Sequence, residues 1–291
     1  MFSFLQAIPF LIKSRTEAIF IWSWMTAVVC LILGRGFPPL QPSIMAVLTM
    51  ALLSMSMYFY NDIIDKEMDA LNPNKKYRPL PSKIVSENDA MKIVLITGLL
   101  GLSLALLIHP YCFIFGSLYI FLLTSYSHPQ IRLKKRVLSN VLAYFSCYLL
   151  ASLIAGFAVT NTFSSRALFS GFIFGFFITS LKPIFGDFSD AYEDKLFGMK
   201  HLGVILSWKR KMQLMIFTIL FIMTITPLTY ARFGFNTIFP IFVLATSLVF
   251  LRTLFPIMNK FEEHELVRTK KYAHIYFFAL QFLMIIGSLN L

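Results

Sequence analysis

Charged residues are scarce in this chain of 291 residues, where Asp, Glu, Lys and Arg make up only 14% and hydrophobic residues make up 57%. So little charge excludes a single water-soluble domain, because about a quarter of the residues in such a domain are charged. The formal net charge of +12 would suggest a nucleic-acid partner, but the basic residues stand between long apolar runs. We therefore expect an integral membrane protein that binds no nucleic acid.

Residues for disulfide bonds and zinc sites are also few. The three cysteines lie inside apolar runs and form no CxxC pair, and the five histidines show no HExxH spacing. We interpret Cys30, Cys112 and Cys147 as buried apolar residues and expect no zinc site. In the first fifteen residues the basic residues follow the apolar stretch, which predicts no removable signal peptide.

Nine apolar runs are long enough to cross the hydrocarbon core, which takes about 20 residues. They predict an all-α polytopic membrane protein with nine transmembrane helices, at 17–34, 42–60, 89–107, 111–127, 137–158, 167–186, 211–230, 237–255 and 272–290. The gap between the third and fourth runs is the shortest. We expect a single membrane domain over residues 1–291.

Basic residues fall almost entirely on one side of that topology. The loops on the other side contain only Arg35, Arg166 and Arg232. The positive-inside rule then places the N-terminus and the loops after spans 2, 4, 6 and 8 in the cytoplasm, and the C-terminus on the opposite side. None of the 14 acidic residues lies in an outer loop, and eight are packed into two short segments after spans 2 and 6. Because the positive-inside rule does not require acids, these segments need another explanation.

The two acidic segments repeat one spacing, i, i+3, i+7, in Asp62, Asp65 and Asp69 and again in Asp187, Asp190 and Asp194. Such a trio shares one helix face, where three like charges repel unless a cation lies against them. Mg²⁺ takes carboxylate oxygens and completes its shell with phosphates. We predict that the two stripes hold Mg²⁺ and a diphosphate between them, with Asn61 as a further oxygen ligand. The alternative is a pair of solvated interfacial loops balanced by lysines.

The positions of the two motifs also indicate an internal repeat. Each follows an even-numbered span on the same face, four spans apart, which predicts a pseudo-repeat of spans 1–4 and 5–8 plus span 9. The loops at about 61–88 and 187–210 would cap that face.

Three motifs in order resemble those of the UbiA superfamily of intramembrane prenyltransferases. NDIIDKEMD at 61–69, followed by YRPLPS at 77–82, resembles the first; DFSDAYEDKLFG at 187–198 resembles the second; and YSHPQIRLKK at 126–135 resembles the basic segment after span 4. The resemblance implies a central cavity ringed by helices, capped by the cytosolic loops and open sideways to lipid. It also implies an enzyme that uses Mg²⁺ to transfer the prenyl group of a prenyl diphosphate and release diphosphate.

The resemblance assigns roles to residues of this sequence. The metal and diphosphate ligands would be Asn61, Asp62, Asp65, Asp69, Asp187, Asp190 and Asp194, with Asp65 and Asp190 central to catalysis together with Lys134 and Tyr126. Cationic partners of the diphosphate would be Arg15, Arg78, Lys83, Arg132 and Lys134. Gly186 stands where many relatives have Lys, and Lys182, one turn earlier, either substitutes for it or snorkels to the interface.

The chemistry implied is ionisation to an allylic cation, which requires a dry pocket with aromatic ring faces. Tyr58, Tyr60 and Tyr126 flank the motifs and are the candidates for that pocket. No motif names the acceptor, and no span offers a clear polar residue for it; the second motif favours an aromatic quinone precursor or a glycerol-linked lipid. Two alternatives are a membrane terpene cyclase that uses the prenyl diphosphate alone and a transporter, although acids in transporters usually lie at mid-membrane.

Overall fold

The computed structural model describes residues 4–185, 194, 196–258 and 263–290, and every regular element within these residues is helical. The helices are α1 (Phe4–Leu33), α2 (Leu40–Leu71), α3 (Glu87–Ile108), α4 (Pro110–Ser127), α5 (Val137–Thr160), α6 (Ser165–Phe185), α7 (Leu202–Ile205), α8 (Trp208–Thr229), α9 (Ile238–Leu254) and α10 (Glu263–Ser288). Short 3₁₀ turns lie at Leu133–Lys135 and Phe255–Ile257.

The helices confirm an all-α membrane fold. Among the described residues, eight helices are long and apolar enough to cross a membrane, namely α1 to α6, α8 and α9. The ninth predicted span falls on α10, which has 26 residues but opens on the polar stretch EHELVRTKK. One long helix therefore corresponds to each of the nine apolar runs, and eight of them meet the criteria of length and composition.

Several helices extend beyond the predicted spans at the motif-bearing end. Helix α1 begins at Phe4 rather than at residue 17, and α2 continues to Leu71 rather than ending at residue 60. Arg15 is consequently inside α1, and the whole first acidic motif is inside α2. Between α3 and α4 only His109 is non-helical; its side chain accepts a hydrogen bond from the Tyr111 amide (3.1 Å) and so caps α4.

Helices α5 and α6 lie at the centre of the bundle. In their apolar windows 61% and 67% of the residues are buried, against 33% in α3, α4 and α8, whose remaining surface faces the surroundings. Close approach of α5 to α6 depends on small residues, because a Cβ at Gly171 would lie 2.9 Å from the Tyr148 carbonyl oxygen. Helices α5 and α6 thus form the central surface against which α1, α2 and α4 pack.

The segments that follow α2, α4 and α6 converge at one end of the bundle. The Lys200 amide donates to the Lys135 carbonyl (3.1 Å), which joins the segment before α7 to the one after α4. The segment after α2 is anchored by Leu80 and Val85, which enter a small apolar core with Ala7 and Leu11 of α1 and with α2 and α3. The first acidic motif, the basic motif after α4 and the described end of the second acidic motif therefore lie at the same end.

Candidate active site

Three carboxylates are buried in the last turns of α2. Asp62, Asp65 and Asp69 are 2%, 5% and 4% exposed, and the i, i+3, i+7 spacing places them on one face of the helix, as the sequence predicts. Three buried negative charges are costly unless each is paired and hydrogen-bonded. Their partners come from separate segments of the chain.

Arginines from α1 and from the segment after α2 hold the first and last of these carboxylates. Arg15 forms a fork on Asp62, with Nε donating to Oδ2 (2.9 Å) and Nη2 to Oδ1. Arg78 Nη1 donates to Asp69 Oδ2 (2.8 Å) and lies 3.5 Å from Asp62 Oδ1. Lys75 Nζ is 3.9 Å from Asp69 Oδ1. The Arg15 fork ties α1 directly to the motif on α2.

The middle carboxylate, Asp65, is held by the basic segment after α4. Lys134 Nζ donates to Oδ2, and Arg132 Nη2 lies 3.5 Å from Oδ1. Asn61 Nδ2 also donates to Asp65 Oδ2 (2.6 Å) and to the Ser127 hydroxyl (3.0 Å). Asn61, predicted as an oxygen ligand, thus uses its amide nitrogen to orient Asp65 here.

Cationic side chains surround the three α2 aspartates. Five such side chains pair with these carboxylates, and the Nε of Arg132 is buried with no hydrogen-bond partner in the described part of the chain. Arg132 also adopts a left-handed backbone (φ 43°). Burial lowers the pKa of Lys134, while Asp65 and Asp194 act in the opposite direction. Such a group of cations can bind an anionic ligand with several oxygens.

The second acidic motif is described only at its last aspartate. Asp187 and Asp190 lie outside the described residues, whereas Asp194 accepts a hydrogen bond from His201 Nε2 (2.8 Å). Asp194 is also close enough to Lys134 to raise its pKa. The end of the second motif is therefore near the cation that binds the centre of the first. The sequence contained no signal for His201, which follows the motif without a recognisable spacing.

Next to the carboxylates, on the membrane side, is a small pocket of about 40 Å³ lined by Met57, Tyr58, Asn61, Leu123, Tyr126, Ser127 and Tyr144. Tyr58 and Tyr126 line it as predicted. Tyr60 does not; it packs against the small apolar core beside α3. Tyr144 was missed, because one tyrosine in an aromatic-rich run has no distinguishing pattern.

Lys182 lies inside the bundle and does not snorkel to the interface. Its Nζ donates to the Tyr126 hydroxyl (2.9 Å) and lies 4.2 Å from the ring centroid of Tyr144. Asn140 Nδ2 donates to the same Tyr126 hydroxyl (3.2 Å). Asn140, Tyr144, Thr179 and Lys182 line a second, smaller hollow. Asn140 lies within the predicted span at 137–158 and is a polar residue of that span at this hollow.

Lys83 is the one predicted cationic partner in the described residues that lies elsewhere. It is exposed and lines an open groove with Lys66, Glu67 and Glu87. None of the described ion pairs of the three α2 aspartates includes it.

The described residues thus form a membrane protein of packed helices in which buried carboxylates, cations and an adjoining aromatic pocket lie together at one end. The model of the UbiA prenyltransferase family matches residues 23–280. The chain belongs to this family and is an integral, multi-pass membrane prenyltransferase.

Individual relatives agree with this assignment. The digeranylgeranylglyceryl phosphate synthase of Saccharolobus solfataricus is 24% identical over 230 residues, which cover 79% of each chain. A solved structure described as digeranylgeranylglyceryl phosphate synthase has a TM-score of 0.76 at 20% identity and covers 98% of this chain and 100% of its own. A UbiA homolog from Archaeoglobus fulgidus bound to DMAPP and Mg²⁺ has a TM-score of 0.67 at 17% identity and covers 92% and 97%. At these identities the two structures show the shared fold.

Proposed function

We propose that the enzyme binds the diphosphate of a prenyl diphosphate at the α2 aspartate cluster, ionises it, and transfers the prenyl group to an aromatic or lipid acceptor. The observation that carries this proposal is the gathering of five cations at three buried aspartates, directly beside an aromatic pocket.

The diphosphate would lie among the cations, with the prenyl chain in the pocket. Arg132, whose Nε has no partner among the described residues, and Lys134 come from one rigid turn and can approach the same group of oxygens. As the bond between C1 and oxygen breaks, the electron pair leaves with the diphosphate. Fixed positive groups that meet this growing charge lower the barrier, because they need no reorganisation. The acceptor then forms the bond to C1 and gives up a proton.

The carboxylate oxygens of the α2 aspartates are suitable ligands for Mg²⁺. Among the described residues, Asp65 Oδ1 and Asp69 Oδ1 have only long ionic contacts, 3.5 Å from Arg132 and 3.9 Å from Lys75, so each retains an oxygen for a hard cation. Both oxygens of Asp62 are taken by Arg15. Asp65 and Asp69 would therefore hold Mg²⁺ from this motif, with Asp187, Asp190 and Asp194 from the other. Bound Mg²⁺ would supply positive charge against the leaving diphosphate; the Archaeoglobus fulgidus homolog with DMAPP and Mg²⁺ supports this cofactor.

Aromatic side chains form the wall that would face the allylic cation. Tyr58, Tyr126 and Tyr144 surround the pocket, and ring faces attract a cation where water is excluded. Asn140 and Lys182 both bind the Tyr126 hydroxyl and so fix that ring in place. We assign Tyr126 to the pocket wall and Lys182 to positioning it.

The acceptor is proposed to enter from the Tyr144 side. The second hollow, which shares Tyr144 with the pocket, has polar groups from Asn140, Thr179 and Lys182. The name digeranylgeranylglyceryl phosphate synthase, shared by several relatives, supports a lipid acceptor, while the motif pattern also accommodates an aromatic quinone precursor. We further propose that the motif-bearing end faces the cytoplasm, because most basic residues lie there.

The test is release of diphosphate by the purified enzyme, with labelled prenyl diphosphates and a panel of lipid and aromatic acceptors. Asp65→Asn and Asp190→Asn should each lower turnover by about 100-fold or more, the loss expected when charge stabilisation is removed. Removal of Mg²⁺ with a chelator should abolish turnover, and added Mg²⁺ should restore it. The matched control is Asp89→Asn, an acid at the start of α3 that pairs with Lys92.

Wild-type turnover in both motif variants would refute the assignment. A hydrocarbon or terpene alcohol formed without any acceptor would instead show the cyclase reaction. Reporter groups placed before α1 and after α10 would test the orientation, and a C-terminus accessible from the cytoplasm would contradict it.

A further inference from the structure

The chain reverses direction just after the last aspartate of the second acidic motif. Gly198 adopts a left-handed backbone (φ 67°), and the Met199 amide donates to the Asp194 carbonyl (2.8 Å). A bond of this span closes the end of a helix when the residue that follows the helix is a left-handed glycine. The reversal brings His201 back to the side chain of Asp194, seven residues earlier in the chain.

The side chain of His201 is directed at that carboxylate. His201 is buried, and its Nε2 donates to Asp194 Oδ2 (2.8 Å). An ionised carboxylate only accepts hydrogen bonds, so Nε2 carries the hydrogen. Helix α7 begins at the next residue, Leu202, but the His201 side chain makes no capping hydrogen bond to it within the described part of the chain. The imidazole therefore serves the aspartate and not the end of α7.

The segment that carries His201 is attached on both sides of this residue. Before it, the Lys200 amide donates to the carbonyl of Lys135 in the basic segment after α4 (3.1 Å). After it, the buried Lys211 of α8 donates from Nζ to the Gly203 carbonyl (2.6 Å). These attachments fix the position of His201 relative to the cations that surround the first motif.

The hydrogen bond from His201 occupies one oxygen of Asp194 and leaves the other open. Among the described residues, Asp194 Oδ1 has no hydrogen bond or ion pair. A carboxylate oxygen is a ligand that Mg²⁺ prefers. Carboxylates that bind metals are commonly oriented by a hydrogen bond from a second residue, which limits their rotation. Asp194 and His201 have this arrangement.

We propose that His201 is a positioning residue for the metal site, and that its Nε2 hydrogen bond holds Asp194 in the orientation that binds Mg²⁺. The inference rests on the proposed function, because it concerns the same metal. Loss of the bond leaves the Asp194 carboxylate free to rotate, which weakens Mg²⁺ binding without removing any ligand. Supporting residues of this kind change metal affinity by about 10- to 100-fold.

The experiment measures the Mg²⁺ affinity of the purified full-length enzyme in two ways. One is the Mg²⁺ concentration that gives half-maximal turnover. The other is the concentration that gives half of the rise in thermal midpoint caused by Mg²⁺ alone, which reports binding without catalysis. His201→Leu removes both ring nitrogens and should raise both concentrations by about 10- to 100-fold. Turnover should recover as Mg²⁺ approaches saturation, because every ligand is still present.

His201→Gln and His201→Asn form a matched pair of variants. The side-chain nitrogen of Gln is separated from Cα by as many bonds as Nε2 of histidine, whereas the nitrogen of Asn is one bond nearer. His201→Gln should therefore keep an Mg²⁺ affinity close to that of the wild type, and His201→Asn should resemble His201→Leu. If His201→Leu does not fold, the comparison of these two polar variants still tests the proposal.

Lys200→Ala is the control for a change next to His201. The Lys200 side chain is exposed, and its described hydrogen bond is made by the backbone amide, which alanine retains. This variant should not raise the Mg²⁺ concentration needed for turnover or for thermal stabilisation.

Wild-type Mg²⁺ affinity in folded His201→Leu and His201→Asn would overturn the proposal. Equal affinities in the Gln and Asn variants, or a loss of turnover that saturating Mg²⁺ does not restore, would also overturn it. These results leave the proposed function intact, because Asp65→Asn and Asp190→Asn test that function separately. A wild-type enzyme whose turnover and thermal midpoint do not respond to Mg²⁺ would instead contradict the proposed function.

Discussion

Removal of the Lys134 ammonium should separate its role in catalysis from its role in folding. The side chain is buried and binds the buried Asp65, so Lys134→Met leaves a buried carboxylate without its nearest cation. Breaking a buried ion pair by removing one partner costs about 3–5 kcal/mol of folding free energy. Asn61 and Arg132 still contact Asp65, which places the expected loss near the lower end, at about 3 kcal/mol.

The loss of transition-state stabilisation in Lys134→Met should be similar in free energy to this loss of folding stability. If Lys134 meets the charge of the departing diphosphate, its removal should lower kcat by about 10²- to 10³-fold. The assay is diphosphate release at a saturating concentration of prenyl diphosphate, together with the midpoint of thermal inactivation in detergent. The double variant Lys134→Met/Asp65→Asn should recover much of the thermal stability, because the unpaired charge is gone, but none of the activity.

Lys135→Met is the control for this prediction. Lys135 is on the same 3₁₀ turn but is exposed, and its described hydrogen bonds involve only its backbone, whose amide donates to the Arg132 carbonyl and whose carbonyl accepts from the Lys200 amide. Its loss should leave both measurements unchanged. The reasoning fails if Lys134→Met retains kcat within about threefold, well short of the effect of an electrostatic catalytic group, or if both lysine variants lose activity equally.

Three other substitutions test separate features. Lys182→Met should lower kcat, because Tyr126 loses a hydrogen-bond donor, and Lys182→Arg should restore part of it because a guanidinium also stacks on rings. Tyr119→Phe should keep or raise the thermal midpoint, by up to about 1–3 kcal/mol in stability, since its hydroxyl is buried with no partner in the described residues. Gly171→Val should lower the yield of monodisperse protein, because its Cβ would lie 2.9 Å from the Tyr148 carbonyl and push α5 and α6 apart, at a cost of about 1–3 kcal/mol.

Each of these has a clear contrary outcome. Full activity of Lys182→Met would show that Tyr126 is held without it. A marked fall in the thermal midpoint of Tyr119→Phe would mean that its hydroxyl has a partner. Wild-type yield and stability of Gly171→Val would show that the two central helices can separate at no cost.

Hydropathy located the long helices but not their ends at the motif-bearing side. A run of apolar residues reports the part of a helix that lies in hydrocarbon, and it stops where polar residues begin. Arg15 and Asp62 therefore fell outside the predicted spans, although both are helical and pair with each other. A helix continues past the membrane where side chains from other segments pack against it. A hydropathy profile contains no information on those contacts.

The sequence by itself determined the features that depend on local spacing: the membrane-spanning runs, the shared face of Asp62, Asp65 and Asp69, and the basic segment after α4. Only the tertiary structure decided which cation binds which carboxylate and that Lys83 faces a separate groove. Aromatic residues make up 16% of the chain and occur in most spans. Which of them lines a pocket depends on how each helix is rotated and how deeply it packs against its neighbours, and that information is not carried by the spacing within any one helix.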